Sequence, residues 1–187
     1  MKLEAGLIHR AARCLQATTL LVLLAVLAGC AGPQLTDHRA QTPVFDFQRF
    51  FSGKLTAHGI VNDRGGKVLR RFVVDMRGDW QGDVGTLDEH FRYDDGEVQH
   101  RVWTVRKQPD GSLTGTAGDV VGEAAGRSIG PAFNWQYTLA LPIRGNVYGV
   151  QFDDWMYLVD DKTVLNRAYM SKFGVRIGEV TLSIAKP

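Results

Sequence analysis

An all-β fold, an antiparallel meander of about eight to ten strands that closes on itself, is predicted by three observations. Helical periodicity is scarce along the 187 residues. Short apolar and β-branched runs alternate with turn signals at intervals of about ten residues. Nearly every connection is short enough for a hairpin, and an open meander of that size would leave two unpaired edges. Closure removes both edges and makes an up-and-down barrel, lipocalin-like in architecture.

The first segment is a leader rather than part of the fold. Lys2, Arg10 and Arg13 precede an apolar run from Leu15 to Leu27 that ends in Ala28 and Gly29. That is the layout of a secretory signal, and the run is short of the roughly 20 apolar residues that span a bilayer. "LAGC", Leu27 to Cys30, resembles the lipobox of bacterial lipoproteins. The resemblance implies cleavage before Cys30 and acylation of its sulfur and its new amino group, palmitate-type anchoring that leaves a membrane as the first partner. Cys14 is lost with the leader, so Cys30 has no thiol partner. Several acyl chains on one residue exceed the two-signal requirement for stable anchoring. Residue 31 is Ala rather than the Asp that resembles an inner-membrane retention signal. The expected location is therefore the inner leaflet of the outer membrane, facing the periplasm.

Charge excludes one class of function. Removing the leader's three bases from 22 and its one acid from 20 leaves a formal net charge of zero. Nucleic-acid binding has no electrostatic support. The chain divides into a signal peptide (1–29), a lipidated tether poor in large apolar residues (30–43) and one barrel domain (44–187) of about 145 residues, enough for a real core. "VFDFQRFF", Val44 to Phe51, suits a short amphipathic helix or an extended entry segment.

Strands are expected near 54–61, 67–77, 84–93, 97–107, 112–121, 130–144, 147–160, 163–172 and 176–185, and turn chemistry sets their register. "YDDGE", Tyr93 to Glu97, places glycine where a three-residue loop with a bulge needs it. Glu89 then faces Arg101 and Leu87 faces Trp103. "QPDGS", Gln108 to Ser112, repeats the device, so Trp103 faces Ala117 and Arg101 faces Asp119. Glu89, Arg101 and Asp119 share one row, on the face that carries Leu87, Phe91, Tyr93 and Trp103. "RGNV", Arg144 to Val147, suits a Gly-Asn loop of type II′. That loop sets Phe133, Trp135, Tyr137, Leu139 and Leu141 opposite Leu158, Met156, Asp154, Phe152 and Val150, an apolar face with one acid in it.

"FDDWMYLVDD", Phe152 to Asp161, holds two acidic pairs. Neighbouring strand residues point to opposite faces, so Asp153 and Asp154 are not one carboxylate pair. Asp160 and Asp161 fall in a turn, where Asp bonds its own backbone. Asp154, inward beside Tyr137, must be paired or protonated. Asp154→Ala is expected to cost more stability than Asp153→Ala. Trp155 and Tyr157 face outward, either as ordinary exposed aromatics or as a patch for a partner.

Two readings fit the inward polar residues. In one, Glu89, Arg101, Asp119 and Asp154 are a polar floor, Arg101 meets the head group of an amphipathic ligand, and Trp103, Trp135 and Tyr137 line its tail. In the other they are a buried ion network that sets register and binds nothing. No catalytic residues, cofactors or metal ligands are expected. "GRSIG", Gly126 to Gly130, matches a nucleophile elbow but sits in a glycine-rich connection, not in strand–turn–helix context. Gly115, Gly118, Gly122, Gly126 and Gly130 suggest bulges or close backbone approach. His38, His58, His90 and His100 show no metal-ligand spacing.

Across the mature chain, "RVW" (Arg101 to Trp103), "DVVGEAAG" (Asp119 to Gly126), "DDWMY" (Asp153 to Tyr157), "NRAYMSKFG" (Asn166 to Gly174) and "GEVTL" (Gly178 to Leu182) resemble a family of Gram-negative lipoproteins defined only as a domain of unknown function. The resemblance implies an envelope location and a single domain, and it carries no catalytic residue. The expected function is carriage or binding of an apolar or amphipathic molecule such as an acyl lipid. The alternative is a non-binding accessory subunit that holds an unidentified protein partner at the outer membrane.

Overall fold

The structure, a computed structural model, describes residues 32–143 and 145–187. The leader and the acylation expected at Cys30 lie outside the described residues. Leu35–Pro187 is one compact unit. A turn of 3-10 helix (Leu35–His38) and a short helix α1 (Phe47–Phe50) precede ten strands. These are β1 (Gly53–Asp63), β2 (Val68–Gln81), β3 (Val84–Tyr93), β4 (Val98–Lys107), β5 (Leu113–Thr116), β6 (Ala124–Ile129), β7 (Ala132–Ile143), β8 (Asn146–Asp160), β9 (Thr163–Lys172) and β10 (Val175–Ala185). Each pairs antiparallel with its sequence neighbours, and β1 pairs with β10 to close the barrel. The predicted all-β up-and-down barrel is therefore the fold.

Alternation builds the interior. Phe72, Val74 and Met76 on β2, and Val150, Phe152, Asp154 and Met156 on β8, are buried at every second position, as a sheet with one covered face requires. The β3–β4 register is the one the "YDDGE" turn predicts, with Glu89 opposite Arg101 and Leu87 opposite Trp103. The "RGNV" expectation needs correction. Ile143 pairs with Asn146, so Gly145, at φ 82°, takes the second position of the turn and Asn146 already belongs to β8. The register moves by two residues: Trp135, not Tyr137, lies opposite Asp154. A shift of two leaves every side chain on its expected face.

The strand expected over 112–121 stops at Thr116, and β6 arises within the stretch read as a glycine-rich connection. "AAGRSI" has weak strand propensity of its own. Its pairing lets the Trp135 ring of β7 lie against the β6 backbone and that of β5: a Cβ on Gly126, in β6, would come within 2.4 Å of that ring, and one on Gly115, in β5, within 2.8 Å. The glycines serve close approach, and Ser128 of "GRSIG" sits in a strand.

One end of the barrel is closed by the segment before β1. Asp46 caps α1, its Oδ1 accepting from the Arg49 N–H at 3.0 Å. Phe45, Phe47, Phe50 and Phe51 all turn into the core, where Phe47 lies 4.8 Å from Phe133 and 6.4 Å from Trp135 between ring centroids. The Phe45 N–H donates to the Gly130 carbonyl at the β6–β7 turn, which places the plug at that end. On the outer wall, Trp155 is buried rather than exposed, and the His38 ring lies 5.6 Å from Tyr157. The outward aromatics are thus no free patch: Trp155 is buried with its indole on Asp153, and the entering chain meets Tyr157 through His38.

Candidate functional site

Above the plug, β7 and β8 set Tyr137 against Phe152, their rings parallel at 5.0 Å, and the edge of Tyr137 meets Trp103 at 5.4 Å. These rings surround a cavity of about 380 Å³. The cavity extends to the end opposite the plug, where Arg70, Glu97, Gln99, Pro142 and Ile143 line its mouth.

A polar band crosses the aromatic lining at mid-height. Arg101 donates from Nε to both Asp119 oxygens at 3.0 Å and from Nη2 to Oδ2 at 2.7 Å, a bidentate pair. Its Nη1 is 3.8 Å from Glu89 Oε2. Asp119 reaches Arg101 because the chain after β5 folds back on β7, with the Val121 N–H donating to the Thr138 carbonyl and the Ala140 N–H to the Asp119 carbonyl, each at 2.8 Å. On the other side of the band, Asp154 accepts from Asn166 Nδ2 and from the Tyr137 hydroxyl, the latter at 3.3 Å.

Burial sets the electrostatics of this band. Glu89 is pushed up to about 7, with the Arg101 charge only partly opposing the loss of water. Asp154 is pushed up to about 6 by burial, against the hydrogen bonds from Asn166 and Tyr137. Burial works against the Arg101 charge too, but the Asp119 hydrogen bond and the Glu89 charge hold it above its ordinary value. Tyr137 is driven well above the usual phenol range by burial and by the Asp154 charge.

Of the residues singled out from sequence, Glu89, Arg101, Trp103, Trp135, Tyr137 and Asp154 all line the cavity. Asp119 stands behind Arg101, its side chain 37% exposed, and orients that residue from outside the lining. Among the lining residues not singled out from sequence are Asn166 and Arg70. Asn166 is 3% exposed and supplies the amide that Asp154 needs; an asparagine alternating with Val164 and Ala168 on β9 was the available signal. Arg70 stacks 3.6 Å over the Tyr93 ring and bonds Asp95 and Glu97, each at 2.8 Å. Its Nε is buried with no partner among the described residues.

The outer wall carries two further polar groups. Asp153 accepts from Asn134 at 2.7 Å, from the Trp155 indole at 3.1 Å and from Gln136 at 3.3 Å. Asp88 Oδ1 lies 3.0 Å from His90 Nε2 and 2.8 Å from His100 Nε2. These three offer donor atoms within 4.8 Å of one another, a set of the kind that holds zinc or copper. No spacing along the chain shows this, because the β3–β4 pairing creates it.

Fold and site together define a class: a closed, plugged, antiparallel up-and-down barrel with an aromatic-lined cavity and a buried ion band. The chain belongs to the family described as "Protein of unknown function (DUF3833)", whose family model matches residues 24–186. Among curated proteins, none matches the chain. Among solved structures, it is similar to a redesigned beta barrel, mFAP0, bound to DFHBI, at 11% identity over 73% of this chain and 99% of that one, with a TM-score of 0.41. It is also similar to EF1p2_mFAP2b bound to DFHBI, at 8% identity over 76% of this chain and 100% of that one, again with a TM-score of 0.41.

Proposed function

We propose that the protein is a lipoprotein of the cell envelope, anchored through Cys30 to the inner leaflet of the outer membrane, whose barrel binds one apolar or amphipathic molecule inside. The observation that carries the binding reading is the cavity itself. At about 380 Å³ it lies within the range of roughly 300–1,000 Å³ typical of small-molecule sites, and its lining is apolar with a few convergent polar groups. A purely structural ion band would not need open space beside it.

The band also restricts the ligand. Arg101 is already matched by Asp119, and Glu89 and Asp154 add two further carboxyls with no second base in contact among the described residues. A free carboxylate head group would meet more acid than base there. A neutral or hydrogen-bond-donating polar group, on an acyl or other apolar body, fits better. The accessory-subunit reading loses its support, because Trp155, the larger of its proposed outer contacts, is buried.

Native mass spectrometry of residues 31–187 purified from the protein's own envelope tests this. One co-purifying lipid-sized ligand per chain, lost in a cavity-filling Leu182→Trp variant that remains folded, is expected. An empty barrel that also fails to take up a long-chain alcohol would overturn the binding reading. Labelling with a fatty acid analogue tests the anchor: the tag should be absent from Cys30→Ser protein, and a tag that persists would end it.

A further inference from the structure

The open end of the barrel is apolar on its outside as well. The β7–β8, β9–β10 and β1–β2 hairpins are neighbours there, since β8 pairs with β9 and β10 with β1. Val147, Phe173, Val175 and Ile177, with Val68 and Leu69 beside them, are 40–92% exposed on this arc. Isolated exposed apolar residues are ordinary, but six on three adjacent hairpin tips around a cavity mouth are not. Ile143 joins the two surfaces: it lines the cavity and is itself 41% exposed.

Phe173 stands out within the arc. Phe173 has φ 51° and Gly174 φ 75°, the left-handed pair of a tight hairpin turn in which asparagine would be the relaxed first residue. Here an aromatic occupies the strained position, and it is 92% exposed. Strain held at a solvent-facing tip is a feature of ligand-contacting loops.

The charges on the arc have a sign. No carboxylate lies within ion-pair distance of Arg64, Lys67 or Lys172 among the described residues, and Lys172 Nζ lies 3.3 Å from the Tyr148 ring centroid and 5.2 Å from that of Phe173. The acids of the arc are engaged: Glu179 accepts from Arg167 and Arg176, and Asp63 Oδ1 accepts from the N–H groups of Gly65 and Lys67. Next around the rim, the three acids of the β3–β4 turn pair with Arg70 and Arg71, which leaves that turn one negative charge and the positive excess on the arc. An apolar tip with unpaired cations behind it matches the boundary between acyl chains and anionic head groups.

We infer that the β7–β8, β9–β10 and β1–β2 tips dock the cavity mouth onto an anionic phospholipid surface, with Phe173 inserted among the acyl chains and Lys67, Arg64 and Lys172 at the phosphates. The inference deepens the binding reading, since it gives the ligand a route between cavity and bilayer without passage through water; because His38 and Phe45 sit at the closed end, that bilayer is one facing the anchored leaflet rather than the anchored leaflet itself. Yet docking and cargo are separable by experiment. Vesicles of a zwitterionic phospholipid, with and without about one-third phosphatidylglycerol, are sedimented with residues 31–187, which keep the compact unit Leu35–Pro187 and lack the acyl anchor.

Binding to the anionic vesicles should exceed binding to the zwitterionic ones at least tenfold and fall with salt. Phe173→Ser and the Lys67→Glu/Lys172→Glu pair should each reduce it about tenfold. None of these positions lines the cavity, so uptake of a long-chain alcohol from dilute solution should be unchanged. No sedimentation with anionic vesicles, or sedimentation unaltered in both variants, overturns the docking inference whatever the cavity binds. Vesicle docking with an empty, non-binding barrel leaves it standing and removes the cargo reading instead.

Discussion

At the closed end of the barrel, four phenylalanines from one eight-residue stretch are each at most 7% exposed, whereas at the open end Phe173 is 92% exposed and five smaller apolar side chains stand near it in solvent. The same chemistry meets opposite fates. At the closed end the entering chain crosses the barrel, so the rings pack on Phe133, Trp80 and one another. At the open end no described segment crosses, and the hairpins end in tips. An apolar end that is covered contributes stability; one left bare contributes a surface.

The largest expected effect breaks this comparison directly. Phe51→Ala removes a ring that is 1% exposed and should lower unfolding free energy by about 3–5 kcal/mol, while Phe173→Ala should change it by less than about 0.5 kcal/mol. Equal losses in denaturant titrations would mean that the two ends are packed alike.

The band between the ends responds to pH. In the folded state Glu89 titrates near 7 rather than 4.5, and Asp154 near 6 rather than 3.8. Raised carboxyl values mean that the folded chain keeps protons the unfolded chain has released. Stability should therefore be full below about pH 4, fall as pH rises and level off above about pH 7, with Glu89 alone contributing about 3 kcal/mol of the loss. Unfolding at pH 5 and pH 8 measures it, and Glu89→Gln should flatten the difference. A flat profile would show that the two acids are hydrated, and a slope of the opposite sign that the fold stabilises their charged forms.

Arg101→Met should cost about 2 kcal/mol, below the 3–5 kcal/mol of a fully buried pair, because Asp119 is partly exposed and Glu89 can protonate. A loss above about 5 kcal/mol would place Asp119 in the sealed interior instead. Asp153→Ala should cost about 1–3 kcal/mol, as it leaves the buried Trp155 indole without its acceptor and the Asn134 amide with the Asp154 carbonyl alone. At pH 8, removing Asp154 also relieves a disfavoured buried charge. The sequence-based order of these two variants is therefore expected to invert, and thermal denaturation of both at pH 8 decides it. The smallest effect is a gain: Phe173→Asn should raise stability by about 0.5–1 kcal/mol, since asparagine tolerates the left-handed turn, and a loss would mean that the ring packs on the barrel.

Much of the wall was legible because turn chemistry and period-two alternation act locally. The "YDDGE" turn fixed the Glu89–Arg101 pair, and the apolar face of β8 was assigned correctly even where the Gly145 turn was misread, since an even register error leaves faces unchanged. Illegible were the features that need a distant surface. β6 is a strand only because β5, β7 and the Trp135 ring lie around it. Asn166 matters only because β9 sets it beside Asp154, and the Asp88–His90–His100 group exists only across a hairpin.

By itself, then, the sequence determined the class of fold, the Glu89–Arg101 pair and which face of most strands turns inward, because each depends on residues within a turn or a strand of one another. Only the tertiary structure decided which end of the barrel is plugged, that an open cavity remains beside the ion band, and that Phe173 rather than Trp155 is the exposed aromatic. Those outcomes depend on which chain segment crosses which end once the sheet has closed, a long-range packing result that no local pattern encodes.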